Sequence, residues 1–89
     1  MLRNSKSMKK PKVVTKRSLK LGGHPVWGTA RYSKNPIIEL DKSLTGFNHL
    51  TILCHEAIHI AFPKLGEKRV REAAKVMAAT IWSQRYLIS

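Results

Sequence analysis

An H-E-x-x-H sequence, His55-Glu56-Ala57-Ile58-His59, contains the side chains of this chain that are best suited to chemistry. Residues four apart in a helix lie on one face about a turn apart, so two histidines at this spacing can bind one metal ion. Glu56 leaves the helix in another direction and can take a proton from a metal-bound water. The pattern predicts a Zn²⁺ site at His55 and His59, with Glu56 as the catalytic general base.

A catalytic zinc needs a third protein ligand, and helical geometry orders the candidates. His49 precedes His55 by about 240° of helical rotation, so it faces elsewhere. In the second predicted helix, Glu67 aligns with the apolar stripe, whereas Glu72 points to the opposite side. A carboxylate at the start of a core-facing stripe needs a partner, because burying it alone is costly. We therefore expect Glu67 as the third ligand and keep Glu72 as the alternative.

Other residues with suitable chemistry favour structural roles. Cys54 lies about 100° from the histidine face, so we expect it to fill core space as a small apolar group. His24 is interpreted as a loop histidine, with assistance to catalysis as the alternative. Trp27, Tyr32 and Trp82 are expected in the core or on a sheet face. The ligand set does not fix the metal, because manganese, cobalt or nickel accept the same groups.

Two helices must position the predicted site. The first is expected from a cap at Thr45 or Asn48 to about residue 61, where a proline follows. The second is expected from about residue 66 to about residue 86. Apolar residues at helical spacing predict the buried stripe of each helix. The first stripe contains Leu50, Leu53, Ala57 and Ile60, and the second contains Val70, Ala74, Met77, Ala78 and Ile81.

The first half of the chain favours extended structure. Residues 12–21 and 26–32 contain β-branched and aromatic residues on either side of a Gly-Gly turn, with Gly28 as a candidate bulge. Ile37 to Asp41 alternates as a third strand. These patterns predict an α+β fold, in which a small antiparallel sheet of about three strands is followed by two long helices.

The chain is short and strongly basic. Its 89 residues include 17 Lys and Arg against five acids, a formal net charge of +12. This charge favours an anionic partner such as nucleic acid. Residues 1–11 are expected to form a flexible basic arm, and residues 12–89 a single metal-binding domain. Five basic residues near this junction are the candidates for nucleic-acid contacts: Lys9, Lys10, Lys12, Lys16 and Arg17.

Composition also narrows the setting. A single cysteine excludes an internal disulfide. The sequence contains no apolar run long enough to span a membrane and no signal-peptide pattern, so we expect a cytoplasmic protein without a membrane partner. If the chain is phage-encoded, that compartment is the host cytoplasm. The sequence does not specify the oligomeric state.

The segment from Leu50 to Pro63, the following Leu-Gly-Glu-Lys-Arg-Val, and the segment from Ala74 to Trp82 resemble small phage-type zinc metallopeptidases. These are of the minimal gluzincin style and are similar to the SprT-like and ImmA/IrrE-like families. The resemblance extends over about residues 12–87, with the H-E-x-x-H as its sharply specific part. It implies a small sheet beside the metal helix and a glutamate on the next helix as third ligand, which agrees with Glu67.

The leading hypothesis is therefore a zinc metallopeptidase acting on a peptide or protein, whose substrate backbone pairs with an edge strand near Ile37–Leu40. SprT-like proteases act on proteins attached to DNA, and a basic arm would suit a similar setting. Two alternatives remain. One is a basic nucleic-acid- or protein-binding module in which the metal is structural. The other is a phage-type effector that blocks or modifies one host protein.

Overall fold

The computed structural model describes residues 10–85, which form a small sheet, a short hairpin and two helices. The expected α+β fold is confirmed. The elements in chain order are β1 (Lys12–Lys16), β2 (Lys20–Leu21), β3 (His24–Pro25), β4 (Gly28–Arg31), β5 (Ile37–Asp41), α1 (Gly46–Ala61) and α2 (Glu67–Ser83). Most of the expected basic arm, including Lys9, lies outside the described residues, as does Tyr86.

The three-stranded sheet has the order β1-β5-β4 and is mixed. β4 pairs with β5 antiparallel, but β1 pairs with β5 in parallel, from Lys12 opposite Ile37 to Lys16 opposite Asp41. The expectation of a wholly antiparallel sheet is wrong in this respect. Because β5 lies between the other two strands, the expectation that Ile37–Leu40 forms an edge strand is also wrong. The free edges of this sheet belong to β1 and β4.

The predicted first strand is interrupted. A turn at residues 17–18, with Ser18 at a φ of 52°, separates β1 from β2. β2 and β3 then form a hairpin whose two turn residues, Gly22 and Gly23, both have positive φ, as a tight two-residue hairpin turn requires. β4 is shorter than the predicted strand over 26–32. Its register against β5 is continuous from Gly28 to Arg31, so Gly28 is not a bulge.

α1 lies between α2 and the sheet, in contact with β4 and β5. Its N-cap is Thr45, without a side-chain capping bond, so the alternative at Asn48 is wrong. The α1 residues buried against α2 are Cys54 and Ile58, and the expected core position of Cys54 is confirmed. Leu50 of the predicted α1 stripe packs against this core, but none of the four members is fully buried: Leu50, Leu53, Ala57 and Ile60. Nearly all faces of α1 carry apolar residues, so periodicity alone does not identify the face that meets α2.

α2 follows its predicted stripe more closely. Val70, Ala74 and Ala78 are buried between the helices. Met77 and Ile81 are 45% and 42% exposed, so their prediction as core residues is wrong. The reason is that α2 packs mainly on α1, and one helix covers only a narrow stripe of another.

The aromatic residues differ from one another in burial. Trp82 is half-buried and meets Phe47 of α1 edge to face, with the ring centroids 5.8 Å apart. Trp27 and Tyr32 are 59% and 53% exposed, so of the two positions expected for them, the core is wrong. None of the helices in residues 10–85 combines the length and apolar character that crossing a membrane requires.

Candidate metal centre

The two histidines of the H-E-x-x-H sequence lie side by side on α1. Their Nε2 atoms are 3.2 Å apart, and both side chains are largely shielded from solvent. The four-residue spacing produces this pairing, because one helical turn brings the second ring over the first. The planes of the two rings are inclined at 62°, and the two Nε2 atoms are close enough to bind one metal ion.

Glu67 reaches the same place from α2. A short reversal after α1 is closed by hydrogen bonds from the Phe62 N–H to the Ile58 carbonyl and from the Leu65 N–H to the Phe62 carbonyl. α2 then begins at Glu67, whose Oε2 is 3.0 Å from His55 Nε2 and whose Oε1 is 2.9 Å from His59 Nε2. The positive end of the helix dipole also favours a carboxylate at this position.

These three side chains fit a zinc ion. The two Nε2 atoms are 3.2 Å apart, and each approaches a different oxygen of Glu67, at 2.9 and 3.0 Å. With one ligand atom from each residue, the three atoms lie within 4.8 Å of one another. Neighbouring ligand atoms of tetrahedral zinc are about 3.3 Å apart, so small side-chain adjustments would bring these atoms to that geometry. Two imidazoles and one carboxylate are also a ligand set of catalytic zinc sites, which keep a fourth position open. His55, His59 and Glu67 form a group able to hold a metal ion among residues 10–85.

The Glu56 side chain lies against β4 and interacts electrostatically with all three candidate ligands. A Cβ built on Gly28 would lie 3.1 Å from Glu56 Cγ and 3.3 Å from its Oε2, so the strand backbone is in direct contact with this side chain. Burial raises the pKa of Glu56; the charges of His55 and His59 act in the opposite direction, and that of Glu67 adds to the rise. A carboxylate with a raised pKa is a stronger base, which suits the role predicted for Glu56.

Two residues beside the site were not predicted from the sequence. Arg71, one turn after Glu67 on α2, places Nη2 3.6 Å from Glu67 Oε2. The spacing of an acid and a base four residues apart could have indicated this pair. Tyr32 follows β4, and partial burial together with the charges of Glu56 and Glu67 raises the pKa of its phenol. The alternation of side chains along β4 could have indicated the face of the sheet on which Tyr32 lies.

The alternative ligands lie elsewhere. Glu72 is exposed on α2 and is not part of the group formed by the two histidines and Glu67. His24 is an exposed residue of β3, and His49, on α1, is also outside the group. Burial raises the pKa of the Cys54 thiol, which keeps this residue protonated and unsuited to metal binding.

The basic residues near the arm are solvent-exposed where the structure describes them. Lys10, Lys12, Lys16 and Arg17 are all exposed. Lys16 forms an ion pair with Glu39, its Nζ 3.6 Å from Oε2. These residues are on or next to β1, the edge strand on the other side of β5 from β4.

No protein-family model matches the chain, and neither the curated proteins nor the solved structures include a match.

Proposed function

We propose that this chain is a zinc-dependent metallopeptidase. His55, His59 and Glu67 would bind the ion, and Glu56 would be the general base. One observation carries the proposal: three ligand atoms from two helices converge, while a fourth group, the half-buried Glu56 carboxylate, lies beside them and is held by β4. A purely structural zinc site is usually closed by four protein ligands, whereas three ligands leave a position for water.

The chemistry follows from these positions. A zinc ion at this site supplies a water whose pKa is lowered to about 7 and polarises a carbonyl oxygen. Glu56 would accept one proton from the attacking water while the water oxygen forms a bond to the carbonyl carbon of the peptide. Glu56 then delivers that proton to the amide nitrogen as the C–N bond breaks, so a carboxylic acid and an amine are released.

The free edge of β4 is the proposed position for the substrate backbone. The Asp41 N–H donates to the Trp27 carbonyl at 2.9 Å, which makes these two residues a hydrogen-bonded pair of the antiparallel ladder. Alternation then turns the N–H and C=O groups of Gly28 and Ala30 away from β5, towards the free edge. An extended peptide can pair with these groups. β4 also lies against Glu56, so such a peptide would pass close to the general base.

The other free edge is less suited to this role. β1 carries Lys12 and Lys16, and lysines on an edge strand oppose the addition of another strand. In addition, β1 is separated from β4, and so from Glu56, by the central strand β5. The edge strand that would pair with the substrate backbone is therefore β4, and not Ile37–Leu40 as the sequence pattern suggests.

Metal analysis of the purified protein tests the ligand set. We expect about one zinc ion per chain, lost in His55→Ala and weakened in Glu67→Ala. Glu72→Ala is the matched control, because it removes a glutamate from the same helix outside the site, and it should keep its zinc. Absence of zinc from the wild-type chain, even after zinc is added, would refute the proposal.

Glu56→Gln separates hydrolysis from metal binding. The amide is nearly isosteric with the carboxylate but cannot accept the proton, so this variant should retain zinc and lose cleavage of a synthetic peptide library read by mass spectrometry. If Glu56→Gln cuts the same peptides as the wild-type protein at the same rate, the assignment of the base is wrong.

The distribution of charge favours a second function, binding of nucleic acid. Of the five acids in the sequence, Glu39 and Asp41 are engaged by neighbouring groups, and Glu56 and Glu67 belong to the site. Among residues 10–85, neither Glu56 nor Glu72 has an ion pair or hydrogen bond, and Glu56 is half-buried. The exposed charged side chains of this part of the chain are therefore mostly basic.

Salt dependence tests this second function. Binding to duplex DNA should weaken steeply with salt, and changing Lys10, Lys12 and Arg17 together to glutamine should reduce the slope by up to about three. A slope unchanged by these substitutions would exclude this surface from binding.

A further inference from the structure

Tyr32 presents a phenol on the side of the sheet that faces α1. Gly28 faces α1, because a Cβ there would lie 2.7 Å from Ile52 Cγ2. The Thr29 hydroxyl and the Arg31 guanidinium instead reach Glu39, on the other face of the sheet. Successive residues of a strand alternate between faces, so continuing β4 by one residue places Tyr32 on the same face as Gly28.

The position of Tyr32 along α1 follows from the direction of β4. Gly28 lies beside Ile52 and Glu56, and Tyr32 is four residues, or about 13 Å, further along the extended chain. Trp27, one residue before Gly28, lines a cavity with Asn48, Thr51 and Ile52, all of which precede Glu56 on α1. β4 therefore runs along α1 in the direction of the metal ligands, and Tyr32 is at the end of the strand nearest to them.

The Tyr32 hydroxyl is available as a donor. Its side chain is 53% exposed, and it forms no hydrogen bond with any of the residues at 10–85. A phenol keeps its proton at neutral pH, so the proton that it would donate is present.

We infer that Tyr32 is a further catalytic residue, whose O–H donates a hydrogen bond to the carbonyl oxygen of the scissile peptide as that oxygen becomes negative. This inference rests on the proposed function. When water attacks the carbonyl carbon, the C=O electron pair moves to oxygen and the new charge is stabilised by the donor; when the C–N bond breaks, the pair returns to form the carboxyl product. The phenol keeps its proton throughout. Such a donor stabilises the transition state more than the substrate.

The test uses tetrahedral analogues, because they carry the negative oxygen in a stable form. A library of phosphinic pseudopeptides is screened against the zinc-loaded wild-type protein by calorimetry, and the tightest binder is compared with its parent peptide. Tyr32→Phe should bind the phosphinic compound about 10- to 100-fold more weakly, the effect of one hydrogen bond to a charged oxygen. Its affinity for the parent peptide and its zinc content should be unchanged.

The second tyrosine of the chain supplies the matched control. Tyr86→Phe removes the same hydroxyl elsewhere in the sequence and should bind both compounds as the wild-type protein does. Labelling tyrosine with ¹³C at Cζ gives a readout independent of activity, since only the Tyr32 resonance should shift when the phosphinic compound binds.

Three results would overturn the inference. The first is equal binding of the phosphinic compound by Tyr32→Phe and wild-type protein, with zinc retained, which would remove Tyr32 from the site while leaving the metallopeptidase proposal intact. The second is a loss in Tyr86→Phe instead of Tyr32→Phe. The third is a wild-type protein that takes up no zinc or binds no member of the library, which would refute the proposed function as well.

Discussion

Replacing Gly28 by alanine tests whether the close contact at this residue sets the spacing of β4 and α1. The added Cβ would lie 2.7 Å from Ile52 Cγ2 and 3.1 Å from Glu56 Cγ, whereas carbon atoms in contact are normally about 3.5–4.0 Å apart. Ile52 is β-branched and stiff in χ1, so its methyl group cannot turn aside easily. Overpacking of this kind costs about 1–3 kcal/mol. The loss of glycine's freedom in the unfolded chain offsets about 0.4–1 kcal/mol, which leaves a net destabilisation of about 1–2 kcal/mol.

Urea unfolding followed by circular dichroism measures this difference. With a slope of about 1 kcal/mol per molar urea for a chain of this size, the midpoint of Gly28→Ala should fall by about 1–2 M. Gly66→Ala is the matched control, because Gly66 has a φ of −67° and open space around it. Its midpoint should change by less than about 0.5 M, since the helix-capping and unfolded-state effects of alanine oppose each other. A Gly28→Ala protein as stable as the wild type would show that contact at Gly28 does not set the spacing of β4 and α1.

Three further perturbations test other parts of the fold. Thr29→Val removes a buried hydroxyl that donates to Glu39 at 2.9 Å, and it should lower the free energy of unfolding by about 1–2 kcal/mol in the same urea assay. An unchanged free energy of unfolding would mean that this hydrogen bond does not stabilise the fold. Hydrogen bonds from the Ser43 hydroxyl and from two backbone N–H groups lower the pKa of Asp41. The Asp41 contribution to stability is therefore complete above the unfolded pKa of about 3.9 and is lost as the pH falls through the lower folded pKa. Asp41→Asn should consequently flatten the acid side of the plot of unfolding free energy against pH. A plot identical to that of the wild type would contradict this. Burial raises the pKa of the Cys54 thiol, so iodoacetamide should label it slowly in the native protein and rapidly in urea; equal rates would show that the thiol is accessible.

The candidate metal ligands could be predicted from the sequence because helical geometry is local. His55 and His59 are separated by one turn, and the direction of Glu67 follows from about 100° per residue along α2. The structure brings these three residues together. Glu72, the alternative ligand, lies outside the group, which agrees with its opposite helical phase.

Strand order was not within reach, because it depends on contacts distant in the sequence. The parallel pairing of β1 with β5 joins residues 25 apart, such as Lys12 and Ile37, and no local pattern specifies it. This pairing makes β5 central, and the edge near the site then belongs to β4. The placement of Tyr32 depends on the same topology, since its alternation has meaning only once β4 is known to lie against α1.

α1 directs the first candidate metal ligand and the candidate base to different neighbours, because consecutive residues of a helix diverge by about 100°. His55 points towards Glu67 of α2, and Glu56, the next residue, points towards Gly28 of β4. A structural metal site would need only the contact between α1 and α2. The additional contact with β4 excludes solvent from part of the Glu56 carboxylate, and it is possible only because position 28 lacks a side chain. A solvated glutamate on the outer face of α1 would serve a structural site equally well, so the close approach of β4 favours a site that performs chemistry.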